Sequence, residues 1–236
     1  MNTKNKILLP GLNEQIIFLQ SRINIGDSKI LIIGSNSGEI AKIFCAKNSS
    51  QIELIVEDYE SLINTKLILD KTKNVNIKIM SFEHTDFNDG QFDLIYTQAS
   101  ISGSNRKSIV KEIKRILKPD GIFCIGEIVK LENEIPTFVN DIFESSDIVP
   151  LEISKLENYY LERNFTLIDS KNLSNTLSEY YSNVSELLKS KMKDLSDNEK
   201  SYYKKVLNKI KHESHAYIKL GADRFIGFKS LILKKK

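Results

Sequence analysis

The sequence contains few of the residues on which many specialised functions depend. Its 236 residues include two cysteines, three histidines and no tryptophan. Cys45 and Cys124 lie within apolar runs, which is typical of small buried side chains and not of disulfide partners or metal ligands. His212 and His215 are three residues apart on a predicted helix, but no third ligand accompanies them at a suggestive spacing. We therefore expect no metal site and a reducing environment.

Arginine and long apolar runs are also scarce, and both absences narrow the class of protein. Only five of the 34 basic residues are arginine, the formal net charge is +3, and the dense basic cluster is the terminal Lys234-Lys235-Lys236, which we expect to be solvated. Nucleic-acid binders usually show a basic stripe and read bases with arginine. No apolar run approaches membrane-spanning length, and residues 7–9 are too short a run for a secretory signal. The sequence predicts a cytoplasmic protein with neither a nucleic-acid nor a membrane partner.

Residues 29–129 alternate short β-branched runs with stretches of helical periodicity. The predicted strands are residues 30–33, 53–56, 76–80, 92–96 and 121–127, and the predicted helices between them are 39–46, 59–71 and 108–117. In the last helix the apolar side chains recur on one face. Strands separated by helices predict a parallel sheet with right-handed crossovers.

The pattern changes after residue 129. We predict an irregular segment over 130–150, a helix over 151–163, a sixth strand over 165–169, a helical insertion over 173–219 and a last strand over 225–233. A further helix over 13–22 precedes the first strand. Because we find no repeat and no low-complexity linker, we predict one domain over 1–236. It consists of a core (1–129), a helical cap with the sixth strand (130–220), and the last strand with the lysine tail (221–236).

Four segments, taken in order, resemble the class I S-adenosylmethionine-dependent methyltransferases that act on small molecules. They are IIGSNSG at 32–38, IVEDY at 55–59, FNDGQFDLI at 87–95 and EIKRILKPDG at 112–121. The last segment is the most specific, because it closely matches the helix and turn before the family's fifth strand. The resemblance implies an α/β, Rossmann-like, seven-stranded sheet flanked by helices, mostly parallel with an antiparallel last strand and a helical insertion before it.

The resemblance implies that S-adenosylmethionine binds at the carboxyl ends of the strands. The expected cofactor residues are Gly34, Ser35, Asn36, Gly38, Glu57, Asp58, Ser81, Phe82, Thr97 and Gln98. Gly34 permits a sharp exit from the first strand, Gly38 lets the next helix pack close to the sheet, and Asn36 tolerates a positive φ. A carboxylate at Glu57 suits the two ribose hydroxyls, since it can accept both hydrogen bonds.

Other positions of this set follow from the family pattern alone. Ser81 and Phe82 fall where the family contacts adenine, although Phe82 suits the core equally well. Thr97 and Gln98 follow the fourth strand and would border the methyl-donor sulfur. The chain departs from the pattern at Ile32 and Ser81, where the family has acids, and at the middle glycine of the loop.

These departures leave three functions open. The first is methyl transfer from S-adenosylmethionine to a small molecule by direct displacement. The second is a methyltransferase fold that has lost catalysis and acts as a binding or partner subunit, and the third is another reaction on the same fold. His84, between the third and fourth strands, is the candidate general base. Tyr180, Tyr181 and Tyr217 are candidate substrate contacts, with plain packing as the alternative. The oligomeric state stays open.

Overall fold

The computed structural model describes residues 6–70 and 72–236, with Asp194 described by its backbone only. Lys71, the last residue of the predicted helix over 59–71, and the first five residues of the predicted core therefore lie outside the described residues. The strands are β1 (Ile30–Ile33), β2 (Ile52–Val56), β3 (Val75–Ile79), β4 (Phe92–Gln98), β5 (Leu117–Lys130), β6 (Leu151–Glu152), β7 (Phe165–Asn172) and β8 (Ile226–Lys235). The helices are α1 (Glu14–Gln20), α2 (Gly38–Cys45), α3 (Tyr59–Ile68), α4 (Arg106–Ile116), α5 (Thr137–Ser145), α6 (Leu156–Leu161), α7 (Thr176–Asp194), α8 (Asp197–Tyr202) and α9 (Lys204–Lys219).

The described strands form one sheet in the order β3-β2-β1-β4-β5-β8-β7, with β6 paired to the end of β5. The first five strands pair in parallel, and β8 runs antiparallel to both β5 and β7. This arrangement confirms the predicted α/β, Rossmann-like, mostly parallel sheet with an antiparallel last strand. The two-residue β6 is one strand more than the seven expected.

Helices cover both faces of the sheet because β1 is apolar on both sides. Leu31 and Ile33 join a cluster with α4, whereas Ile30 and Ile32 join a second cluster with α1 and α2. Such continuous burial is typical of a central parallel strand. Ile32, at the position of the family's acid, is fully buried in this second cluster. The exchange of acid for isoleucine is therefore compatible with the packing around it.

A third hydrophobic cluster joins the cap to the sheet. It combines residues of α5, α7 and α9 with Ile128 of β5 and Phe228 of β8. No helix within the described ranges has both the length and the apolar character needed to cross a bilayer.

The prediction of irregular structure over 130–150 is wrong in part, because α5 forms inside it. Pro136 occupies the N-cap of α5, with the extended backbone that a helix entry requires. Val139, Ile142 and Phe143 then bury one side of this helix in the third cluster. The predicted helix over 151–163 is wrong in its first turn, where residues 151–152 form β6 and pair in parallel with the end of β5.

The prediction of a solvated lysine tail is wrong for Lys234 and Lys235, whereas Lys236 is exposed. β8 continues to Lys235, whose Nζ donates to the carbonyl of Leu117 at 2.6 Å. Lys234 forms an ion pair with Asp120 at 2.8 Å. Both lysines therefore help to hold the end of β8 against the start of β5.

The cysteines and the two neighbouring histidines lie in ordinary surroundings. Cys45 and Cys124 are free thiols, and burial raises the pKa of Cys124 to about 12. His212 and His215 lie exposed on α9. Within the described residues, no group of three or more potential ligands is arranged to hold a metal ion.

Candidate functional site

The glycine loop forms the sharp turn that its sequence predicts. Gly34 leaves β1 with φ of 131°, and Asn36 has φ of 60°. The amide of Gly34 still donates to the carbonyl of Ile55 in β2 at 3.1 Å, so the turn begins where the sheet pairing ends. Asn36 stands where the family has its middle glycine. It adopts the left-handed conformation at a small cost in free energy, because asparagine tolerates this conformation better than most residues. The loop therefore keeps its geometry despite the lost glycine.

Ser100 lies directly over Gly34 and was not singled out in the sequence. A Cβ atom built on Gly34 would overlap the hydroxyl of Ser100, which donates to the carbonyl of Gln98 at 3.0 Å. The backbone just before it is unusual, because Ala99 adopts a positive φ of 55°. Strain of this kind persists only where the surrounding structure holds it, and it is frequent at functional sites. The β4–α4 loop is thus packed onto the glycine loop.

Gly38 makes a different contact from the one predicted. A Cβ on this residue would lie 2.7 Å from Cγ2 of Ile68, so the glycine permits close packing of α2 against α3 and not against the sheet. The hydroxyls of Ser35 and Ser61 join the glycine loop to the first turn of α3, with 2.9 Å between their oxygens.

Glu57 and Asp58 have separate roles at the end of β2. Asp58 caps α3 and accepts from the amide and hydroxyl of Ser61 at 2.7 and 2.6 Å. These hydrogen bonds lower the pKa of the Asp58 carboxyl. Glu57 is exposed, and from the residues that the structure describes it accepts one long hydrogen bond, from the amide of Phe82 at 3.3 Å. The carboxylate of Glu57 therefore keeps free lone pairs for a ligand at this edge of the sheet.

Three of the expected cofactor residues have buried side chains, namely Phe82, Thr97 and Gln98. The ring of Phe82 is 4% exposed and belongs to the first hydrophobic cluster, which is the core alternative, whereas Ser81 beside it is exposed. Gln98 donates to the carbonyls of Pro10 and Leu12 and accepts from Tyr96. The side chains of Thr97 and Gln98 are almost completely buried, so neither reaches the crevice in this conformation. Thr97 Oγ1 is a buried atom without a hydrogen-bond partner among the described residues.

His84 lies in a groove apart from the glycine loop. It pairs with Ser81 in a tight turn and is exposed. The groove, of about 880 Å³, runs between this turn and α4, and none of the residues that line it belongs to the Gly34–Gly38 loop. His84 and the glycine loop therefore do not share this groove.

The three tyrosines lie together in the cap. Tyr181 and Tyr217 stack at 4.5 Å between ring centroids, and Tyr180 meets Tyr181 edge-on. Burial raises the pKa of Tyr180 and of Tyr217 to about 12. These rings contribute to the third hydrophobic cluster, as the packing alternative expected.

A buried ion pair behind the β4–α4 loop was missed by the sequence analysis. The guanidinium of Arg106, the first residue of α4, contacts Glu127 of β5 at 2.7 Å and also donates to the carbonyls of Ser102 and Val149. The hydroxyl of Tyr160 donates to the other oxygen of Glu127. Burial raises the pKa of Glu127, and the charge of Arg106 opposes that shift. Arg106 therefore holds together the loop that follows β4 and the loop that precedes β6. The signal in the sequence was a glutamate within the apolar run 122–129 of β5.

The strand order, the antiparallel β8, the glycine turn after β1 and the acid after β2 together define a class I S-adenosylmethionine-dependent methyltransferase fold. Residues 31–125 match the sequence model of a family described as a methyltransferase domain. The fold is thus that of the class I methyltransferases, as the motifs predict, and the match to the methyltransferase model covers residues 31–125. No curated protein sequence matches it significantly.

Solved structures of low sequence identity share this fold over nearly the whole chain. A candidate sarcosine dimethylglycine methyltransferase from Galdieria sulphuraria has a TM-score of 0.75 at 17% identity, covering 95% of this chain and 84% of that one. The [4+2]-cyclase SpnF has a TM-score of 0.76 at 16% identity, covering 94% and 80%. Geranyl diphosphate C-methyltransferase from Streptomyces coelicolor A3(2), solved with geranyl diphosphate and S-adenosyl-L-homocysteine, has a TM-score of 0.70 at 11% identity, covering 95% and 77%.

Proposed function

We propose that the protein transfers a methyl group from S-adenosylmethionine to a small-molecule acceptor. The observation that carries this proposal is the preserved turn of the glycine loop, with its positive φ at Gly34 and Asn36 inside the matched methyltransferase domain. A turn that leaves a parallel strand and leads into a helix allows a ligand to approach the backbone closely. The solved relatives support the cofactor and the size of the acceptor, since one of them was crystallised with S-adenosyl-L-homocysteine and geranyl diphosphate.

The residues at the carboxyl ends of β1 and β2 fit this cofactor. Glu57 would accept hydrogen bonds from the ribose hydroxyls, and Ser35 and Asn36 would contact the amino-acid end. Ser81 is exposed at the position expected beside adenine. When bound, the cofactor supplies an electrophilic methyl group on a sulfonium. The protein's own contribution to such a displacement is proximity and alignment.

A general base is needed only for an acceptor that cannot shed its proton alone. His84 would serve an acceptor that extends from the crevice into the groove beside α4. If His84→Ala leaves the rate of methyl transfer unchanged, His84 does not act as the general base.

A specific observation also favours the second candidate, a methyltransferase fold that binds a partner without catalysis. Ser100 covers Gly34, and Phe82 is packed in the core, so two of the expected contact surfaces are occupied by the protein itself. Under this alternative the packed β4–α4 loop is permanent and excludes the cofactor. Under methyl transfer the same loop moves aside when the cofactor binds.

Isothermal titration with S-adenosylmethionine and S-adenosylhomocysteine distinguishes the two. Methyl transfer requires binding of both, and Glu57→Gln should weaken it at least tenfold, because a hydrogen bond to a charged acceptor contributes about 1.5–3 kcal/mol. Glu60→Gln, a similar change at an exposed carboxylate in α3, is the matched control and should bind as the wild type does. No binding at millimolar ligand would refute the cofactor assignment. Binding by Ser100→Gly alone would favour the alternative.

A further inference from the structure

The far end of the helical cap stands apart from every hydrophobic cluster of the protein. The last buried residue of α7 is Tyr181 and the first of α9 is Ser214, and between them none of the described side chains is buried. The helical rise of 1.5 Å per residue places the end of α7 about 20 Å beyond Tyr181. We refer to residues 187–211, which comprise the end of α7, α8 and the start of α9, as the distal hairpin.

The distal hairpin carries the basic excess of the whole chain. It contains eight lysines and three acidic residues, and no arginine. The chain has 34 basic and 31 acidic residues in total, so the remaining residues number 26 basic and 28 acidic. The sequence analysis overlooked this asymmetry because the lysines are dispersed over three helices. The fold gathers them by turning the chain back on itself.

Most of these lysines have no charge partner. Lys200 lies 3.7 Å from Asp197 and Lys209 lies 4.0 Å from Glu213, whereas the other six form no ion pair with any side chain that the structure describes. Glu199 is occupied by its capping box with Ser196. The hairpin therefore presents a net positive charge that the ion pairs of the described side chains neutralise only in part.

Apolar side chains are exposed among these lysines. They are Leu187 (45%), Met192 (37%), Tyr202 (82%), Tyr203 (38%) and Val206 (56%). Exposed single hydrophobic residues are ordinary on a protein surface. Here five of them occur on the same element as the eight lysines, so the hairpin combines positive charge with exposed apolar side chains. Lysines interleaved with aliphatic residues and tyrosine are typical of helices that lie in a lipid interface.

We propose that the distal hairpin docks the protein on an anionic lipid surface. The lysines would be attracted to anionic headgroups, and the exposed apolar side chains would enter the boundary between headgroups and acyl chains. A nucleic acid would satisfy the lysines but leave the aliphatic side chains in water, and the hairpin lacks the arginines that usually read bases. The expectation of no membrane partner rested on the absence of a spanning segment, which a peripheral contact does not need.

Co-sedimentation of the whole protein with vesicles tests this proposal independently of any cofactor. Vesicles of phosphatidylcholine with about one-third phosphatidylglycerol should retain the protein at low salt, and pure phosphatidylcholine should not. Raising the salt from about 0.05 to 0.3 M should weaken retention severalfold, because screening shortens the range of the attraction. The triple change Lys191→Glu, Lys204→Glu and Lys205→Glu should weaken it at least tenfold.

The matched control is the triple change Lys66→Glu, Lys73→Glu and Lys107→Glu, which alters the net charge equally at exposed positions outside the distal hairpin. We refer to this remainder of the chain as the body. It should retain binding within about twofold, and circular dichroism should show both variants folded. A combined Tyr202→Ser and Val206→Ser change should weaken retention at all salt concentrations. Equal loss in both triple variants, no retention by anionic vesicles at low salt, or tighter binding to duplex DNA or RNA than to vesicles would overturn the proposal.

Discussion

At the scale of single residues, the backbone conformation of Asn36 and Ala99 determines how the two loops of the candidate site meet. Asn36 turns the loop after β1 with φ of 60°, and Ala99 turns the loop after β4 with φ of 55°. Asparagine adopts this conformation at low cost, whereas alanine is strained in it. The strain at Ala99 brings Ser100 over Gly34.

The left-handed backbone of Asn36 predicts an unusual order of stability. Asn36→Gly should be as stable as the wild type or more stable, and Asn36→Ala should lose about 1 kcal/mol, because a Cβ without a local hydrogen-bonding group is disfavoured there. Urea unfolding of the three proteins measures these free energies. Asn208→Ala on α9, at a helical position, is the control and should not be destabilised. An alanine variant more stable than the glycine variant would contradict the assignment.

Sequence reasoning worked for residues whose role depends on their immediate neighbours. Asn36 was predicted to tolerate a left-handed position, and its φ of 60° agrees. It did not find Ser100, whose importance comes from a contact with Gly34 far away in the chain. The ion pair between Arg106 and Glu127 was also not predicted, because nothing in the sequence shows that these two side chains meet in the fold. Long-range contacts leave no local pattern.

At the scale of elements, Arg115 explains why the segment at 112–121 was the most specific motif. Its guanidinium contacts Glu112 on its own helix and Asp89 in the preceding loop, each at 2.6 Å, and donates to the carbonyl of Thr85. Glu112 in turn accepts from the amide and hydroxyl of Thr85. This network fastens α4 to the loop between β3 and β4. Residues of this motif therefore hold two elements of the fold together.

The same network predicts a pH-dependent loss of stability in Glu112→Gln. Burial alone would raise the pKa of Glu112, but the hydrogen bonds from Arg115 and Thr85 outweigh it and lower the pKa from 4.5 to about 2. The ionised form therefore stabilises the fold above pH 4.5, and this contribution declines as the pH falls towards 2. We expect the variant to lose about 1–2 kcal/mol at pH 7, since partial exposure of Arg115 screens the pair.

Urea unfolding at pH 7 and pH 3 measures that contribution. The difference between wild type and Glu112→Gln should fall by at least half at pH 3. Glu132→Gln, at an exposed glutamate without an ion pair in the described structure, should differ little from the wild type at either pH. A difference that stays constant with pH would indicate that packing, and not charge, accounts for the effect.

The predicted boundaries of helices and strands agree with the structure where the hydrophobic periodicity is strong. They disagree where tertiary contacts determine the secondary structure. β1 was predicted to the residue, and α4 within two residues at its start. α5 was missed because its nine residues bury only a short apolar face against the cap. The two residues of β6 are a strand only because the end of β5 is available for pairing.

At the scale of the whole molecule, burial and charge are distributed unevenly between the body and the distal hairpin. The body contains the three hydrophobic clusters, whereas the distal hairpin has no buried side chain among those described. Segments with few buried contacts open locally at low free energy. The hairpin should therefore open while the sheet remains folded.

Limited digestion with trypsin tests that difference, because lysines occur throughout the chain. The first cuts should fall between Lys189 and Lys211, leaving the sheet-forming body protected, and mass spectrometry of the fragments locates them. Anionic vesicles should slow these cuts if the lysines contact lipid. First cuts at body lysines such as Lys66 or Lys107 would contradict the prediction.

The interior position of β8 in the sheet also has a consequence for how the protein is made. β8 lies between β5 and β7, although it is the last strand along the chain. While the chain is being synthesised, β7 has no neighbour in the sheet and β5 exposes one edge until residues 226–235 have left the ribosome. A nascent chain halted before Ile226 would hold two unpaired strand edges, which are prone to aggregate. Completion of the fold must therefore wait until translation has passed β8.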